Sequence, residues 1–124
     1  MPTLPVLCRT LSPSNPNRNV PDISVEELAQ WRASGRDFVL LDVREDHEVA
    51  RAALPGALHM PMREILQRMN ELHTGKDIAV LCHHGHRSDA VARFLRTHGF
   101  ERARNVAGGI DAYAERIDPK IPRY

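Results

Sequence analysis

Seven consecutive residues concentrate the chemistry of this chain: Cys82-His83-His84-Gly85-His86-Arg87-Ser88. Cys82 supplies a thiol, and cations or a helix N-terminus beside a thiol favour its nucleophilic, ionised form. Gly85 admits a backbone conformation closed to most residues. The loop can therefore curl so that successive N–H groups point inward as an anion-binding nest. Arg87 adds a permanent positive charge. Ser88 stands where a hydroxyl would reach the sulfur or open a following helix. The pattern specifies a nucleophilic sulfur at the mouth of an anion-holding cup. Cys82 and Arg87 are its catalytic candidates, and His83, His84, Gly85, His86 and Ser88 its lining. Thiolate and imidazole also bind zinc. Here, however, those ligands crowd into five residues, Gly85 and Arg87 suit an anion, and no second ligand pair lies at a usual spacing. The histidines are read as donors at the rim whose charge varies near neutral pH, with no metal and no cofactor.

Such a loop works only if its neighbours hold it still. The apolar run over 78–81 has the length of a strand buried on both faces, and the spacing of Val91, Phe94 and Leu95 predicts a helix over 88–98, ended by Gly99. Phe38-Val-Leu-Leu41 is a second buried-type strand, with further strands expected over 57–60 and 102–106. Ser24-Val-Glu-Glu27 carries a capping-box signature for a helix that Gly35 ends. A short helix is expected over 45–53, another from Ile65, Leu66, Met69 and Leu72, and a last one from about Ile110. Strands alternating with helices give an α/β domain, a mainly parallel sheet flanked by helices on both faces. Such sheets place ligands beyond the carboxyl ends of their strands, which is where the Cys82 loop falls. Asp42 and Arg44 follow the strand beside it and are read as a buried supporting pair, since buried charges persist mainly when partnered. Glu48 joins them as structural support.

The Cys82 loop resembles the active-site loop of the rhodanese-like sulfurtransferases, whose pattern is Cys-x-x-Gly-x-Arg-Ser/Thr. Leu40-Leu-Asp-Val-Arg44 is similar to that family's strand-and-arginine motif. Glu48, Leu54-Pro-Gly-Ala57 and Met60-Pro61 are similar to its central run, and Gly108-Gly109-Ile-Asp-Ala-Tyr113 to its Gly-Gly-x-x-x-Trp segment. The tail over 118–124 is similar to tails on rhodanese domains fused to sulfur-carrier activating enzymes. The chain departs at Ala52-Ala53, where the family often has Gly-His, and at Tyr113, where it often has Trp. The resemblance implies a single-domain enzyme working in two steps. Cys82 takes the outer sulfur of a donor such as thiosulfate and becomes a persulfide, then passes that sulfur to a thiol or to cyanide. Phosphatases of the Cys-x5-Arg type wrap phosphate in a longer loop, whereas only four residues separate Cys82 from Arg87. The resemblance leaves one alternative, a persulfide relay or binding module for a protein partner with little activity on free thiosulfate.

Composition bounds the rest. A chain of 124 residues forms one domain. Lys plus Arg is 17 against 16 Asp plus Glu, an even balance that argues against a nucleic-acid or anionic-membrane binder. No apolar run has the length of a membrane span, and Met1 to Thr10 lacks the pattern of a secretory signal. The two cysteines, Cys8 and Cys82, make no disulfide framework, so a reducing cytoplasm is expected. Pro2, Pro5, Pro13, Pro16 and Pro21 mark residues 1–21 as an extended arm that holds Cys8 incidentally, ahead of a domain over 22–124. The expected partners are a small-molecule sulfur donor and a thiol or sulfur-carrier protein acceptor.

Overall fold

The computed structural model describes residues 20–124. Cys8 and nearly all of the Pro-rich arm lie outside the described residues. Helix α1, Val25–Ala33, opens where Ser24 accepts the Glu27 N–H at 3.0 Å, and it buries Val25, Leu28 and Trp31. The chain then turns into β1, Phe38–Asp42. Helix α2, Asp46–Arg51, is shorter than its sequence pattern implies. Strand β2 is only Leu58–His59. Helix α3, Ile65–Arg68, sits between two 3-10 turns, Met62–Glu64 and Met69–Glu71. Strand β3, Asp77–Leu81, is buried at every position. Helix α4, His86–Thr97, strand β4, Ala103–Asn105, and helix α5, Gly109–Arg116, complete the order.

The four strands among the described residues are all parallel, in the order β2-β1-β3-β4. Side chains alternate across such a sheet, and two apolar layers result. Leu40, Ala79 and Leu81 face α1 and α5, meeting Leu28, Trp31, Ile110 and Tyr113. Leu41, Ile78 and Val80 face α3 and α4, meeting Ile65, Val91, Ala92 and Leu95. The sheet is thus covered on both faces, and its carboxyl edge stays clear for a site. No helix among the described residues is long and apolar enough to cross a membrane.

Two further expected elements differ. The single helix expected around residues 65–72 is broken into short turns. Ile65 and Leu72 are buried, but Leu66 between them is 67% exposed. Met69 also packs against the apolar layer, so the expected face is kept, while 3-10 turns on either side tighten the backbone and leave only a single α-turn. Helix α4 starts at His86, two residues earlier than expected, because Gly85 in the left-handed region at φ +101° serves as its cap.

Candidate active site

Strand β3 delivers Cys82 to the carboxyl edge of the sheet, and α4 departs four residues later. The turn between them requires Gly85: a Cβ there would stand 3.2 Å from the Gly108 nitrogen, on a backbone that L side chains rarely adopt. This turn aims the Gly85 N–H at the Cys82 sulfur, at 3.1 Å. The first turn of α4 brings the Ser88 hydroxyl to 3.1 Å from the same sulfur. The N-terminal end of α4 adds its positive dipole to the same place.

The sulfur does not stand at the mouth of the cup, as its sequence context implies. Cys82 is 1% exposed and forms the floor. Its side chain belongs to the apolar layer that holds Val43, Met60 and Val91, while the Gly108-Gly109 turn lets α5 close onto the backbone of the loop. Ile110 N–H donates to the Cys82 carbonyl at 2.9 Å and Asp111 N–H to the His83 carbonyl at 3.1 Å. A Cβ on Gly109 would sit 2.4 Å from the His83 oxygen and 2.5 Å from the Cys82 oxygen.

Arg87 is not a free cation over the cup. Both of its terminal nitrogens donate to Glu48, at 2.5 and 2.8 Å. Glu48 also accepts from the Glu45 N–H at 3.0 Å, inside the capping box of α2. Arg87 above all holds the Glu48 carboxyl down, to about 2, and Glu48 in turn raises the Arg87 guanidinium. Behind this pair, Arg44 is fully buried and donates to both Asp42 oxygens, to the Ala52 carbonyl and to the Tyr124 hydroxyl. Tyr124 donates onward to Glu48 at 3.1 Å. Asp42, Arg44, Glu48 and Arg87 thus form one continuous brace from the end of β1 to α4, closed by Tyr124. Burial raises the Tyr124 phenol, keeping it neutral and able to donate.

The histidines form one wall. The His83 ring lies between His84 and Tyr124, with centroids 3.9 and 4.0 Å away. Burial, then His84, lowers the His83 imidazole. Its buried Nε2 has no hydrogen-bond partner among the described residues. His84 is exposed, 3.8 Å from Asp111, and His86 is exposed on the first turn of α4. Ligand atoms of His83, His84 and Asp111 lie within 4.8 Å of one another. Asp111 is also held by Arg123 at 3.0 Å.

Sequence reasoning missed Tyr124, Asn105 and Asp22. Asn105 accepts from Ser88 at 2.5 Å and donates to Asp22 at 3.0 Å. Its place at the carboxyl end of a strand next to β3 is the signal that could have found it.

Residues 24–116 match the family model for the rhodanese-like domain. The chain belongs to the rhodanese-like domain family. It is 37% identical over 95 residues to a sulfurtransferase of Allochromatium vinosum, covering 77% of this chain and 89% of that one. It is 39% identical over 125 residues to the chloroplastic rhodanese-like/PpiC domain-containing protein 12 of Arabidopsis thaliana. That match takes in 95% of this chain but 41% of the plant protein, so this rhodanese-like domain spans less than half of that relative. Among solved structures it is similar to a rhodanese-like domain protein from Staphylococcus aureus, with TM-score 0.74 and 28% identity. The alignment covers 85% of this chain and 99% of that one.

Proposed function

We propose that this rhodanese-like domain is a sulfurtransferase that carries sulfane sulfur on Cys82 as a persulfide, with thiosulfate as donor and a thiol or cyanide as acceptor. The observation that carries the reading is the Cys82 sulfur 3.1 Å from both the Gly85 nitrogen, which donates to it, and the Ser88 hydroxyl, at the start of α4. The 37% identical relative named a sulfurtransferase supports it.

The chemistry runs in two displacements. The Cys82 thiolate attacks the outer sulfur of thiosulfate, a new S–S bond forms, and sulfite leaves with the electron pair of the bond that breaks. The acceptor thiolate then attacks the outer sulfur of the persulfide. The pair of the breaking bond returns to Cys82, and the acceptor departs carrying the sulfur. Charge on Cys82 forms beside the Gly85 N–H and the N-terminal end of α4, dipoles already in place, which is how such a cup lowers a barrier. Two displacements through a covalent intermediate give ping-pong kinetics. A free thiol at the working position fits a reducing compartment such as the cytoplasm.

The test is direct. The protein should convert thiosulfate and cyanide to thiocyanate, and thiosulfate alone should add the mass of one sulfur atom to Cys82. Full turnover by Cys82→Ser would refute the assignment. Fast loading from a persulfidated protein donor, with thiosulfate ineffective, would move the reading to a relay.

A further inference from the structure

The Ser88 hydroxyl stands between two acceptors and has one hydrogen. Its oxygen is 3.1 Å from Cys82 Sγ and 2.5 Å from Asn105 Oδ1. Ser88 is fully buried and Asn105 is 4% exposed, which leaves the hydroxyl little access to water. The Asn105 amide is also aimed: its Nδ2 donates to Asp22 Oδ2 at 3.0 Å, which turns Oδ1 toward Ser88. An amide oxygen only accepts. The Ser88–Asn105 contact therefore uses the Ser88 hydrogen, and Cys82 can bond to Ser88 at the same moment only by donating its own S–H.

With a neutral thiol every group in this row is satisfied: S–H to Ser88, Ser88 O–H to Asn105, Asn105 N–H to Asp22. With a charge on Sγ the order must break. The sulfur then takes the Ser88 hydrogen, and Asn105 Oδ1 is left buried without a partner among the described residues, a costly arrangement. We propose that Asn105, aimed by Asp22, is a positioning residue that competes with Cys82 for the Ser88 hydrogen and so restrains release of sulfur from the loaded enzyme.

The inference rests on the sulfurtransfer reading and adds a direction to each half of it. In the persulfide the charge sits on the outer sulfur, so the Ser88 hydrogen returns to Asn105 and Sγ has one donor fewer. When the acceptor attacks, the bond between the two sulfurs breaks and its electron pair goes to Sγ. The Ser88 hydrogen must then swing back to meet it. Asn105 resists that swing, which lengthens the life of the persulfide until a competent acceptor arrives.

The experiment measures single-turnover sulfur release from the loaded protein to dithiothreitol. It also measures alkylation of unloaded Cys82 by iodoacetamide, at a pH where that rate has levelled off. Removing the competing acceptor in Asn105→Ala should speed release by about fivefold, the size of one hydrogen bond exchanged. Ser88→Ala should slow release by a similar factor. Alkylation should move the opposite way, by about twofold in each variant, because a sulfur anion that keeps its donor is the weaker nucleophile. In Ser88→Ala/Asn105→Ala the effect of removing Asn105 should vanish. Asp22→Ala, an exposed position, frees the amide to turn and should act like Asn105→Ala more weakly. It also serves if the Asn105 variant does not fold.

Slower release in both single variants would overturn the proposal, as would an Asn105 effect that persists without Ser88, or release unchanged in Asp22→Ala beside an unfolded Asn105→Ala. If thiosulfate fails to load wild-type Cys82, the sulfurtransfer reading falls. The alkylation rates then still decide whether Asn105 and Cys82 share the Ser88 hydrogen.

Discussion

Replacing Glu48 by Gln leaves the shape of the brace but removes the charge that Arg87 and Tyr124 are arranged around. The carboxyl is held at about 2 against an ordinary 4.5. At about 1.4 kcal/mol for each tenfold change in proton affinity, that difference corresponds to roughly 3 kcal/mol of folding stability. Arg87 is 35% exposed at its side chain, so water screens part of the pair, and we expect about 2 kcal/mol. A carboxyl depressed in the folded state contributes fully above its unfolded value and loses that contribution as pH falls toward its folded one. Glu48→Gln should therefore be less stable than wild type by about 2 kcal/mol at pH 7, roughly 8 °C in Tm for a domain of this size. The gap should narrow as the pH falls from 4.5 to about 2. Urea unfolding at pH 7, 4.5 and 3 measures it. A gap that stays constant over this range, or a variant as stable as wild type at pH 7, would refute the claim that the charged pair holds the cup.

Three further outcomes are expected. Gly109→Ala should fold poorly or not at all, because its Cβ would meet the Cys82 and His83 carbonyl oxygens at 2.5 and 2.4 Å; circular dichroism and thermal unfolding report it. Tyr124→Phe removes the oxygen that accepts from Arg44 at 2.7 Å and donates to Glu48. The buried guanidinium is left short of a partner, so urea unfolding should show a loss of about 1–3 kcal/mol. Arg87→Ala should slow sulfur loading from thiosulfate, measured by mass shift against time, while leaving a folded protein; an unchanged rate removes Arg87 from the mechanism.

The elements around the sulfur are legible in the chain because their signals are local. The apolar run at Ile78–Leu81 becomes a strand buried at each residue, since a parallel sheet covered on both faces has no polar side. Ser24 caps α1 as its spacing implies. Legibility fails where a local rule is overruled from elsewhere in the molecule. Serine is a favoured cap, yet Ser88 lies inside α4 because its hydroxyl is engaged with the sulfur and Asn105, and Gly85 takes the cap instead. Tyr124 lies 76 positions from Glu48 and Asn105 lies 83 from Asp22. No periodicity joins such pairs; only the folded path of the chain does.

The same long-range contacts change what kind of anion site this is. Read as a string, the loop owes its positive character to Arg87. In the fold, Arg87 is matched by Glu48 and Arg44 by Asp42, at 2.5 and 2.6 Å. Both guanidinium groups of the brace are therefore paired with carboxylates before any substrate arrives. What remains directed at the sulfur is the Gly85 N–H, the Ser88 hydroxyl and the N-terminal end of α4. Oriented dipoles act over a short range and demand accurate placement, unlike a mobile cation. That requirement accounts for the rest of the design. The carbonyls of Cys82 and His83 are tied down by α5, two glycines permit the close approach, and the braced ion pairs spend their charge on rigidity and not on attraction.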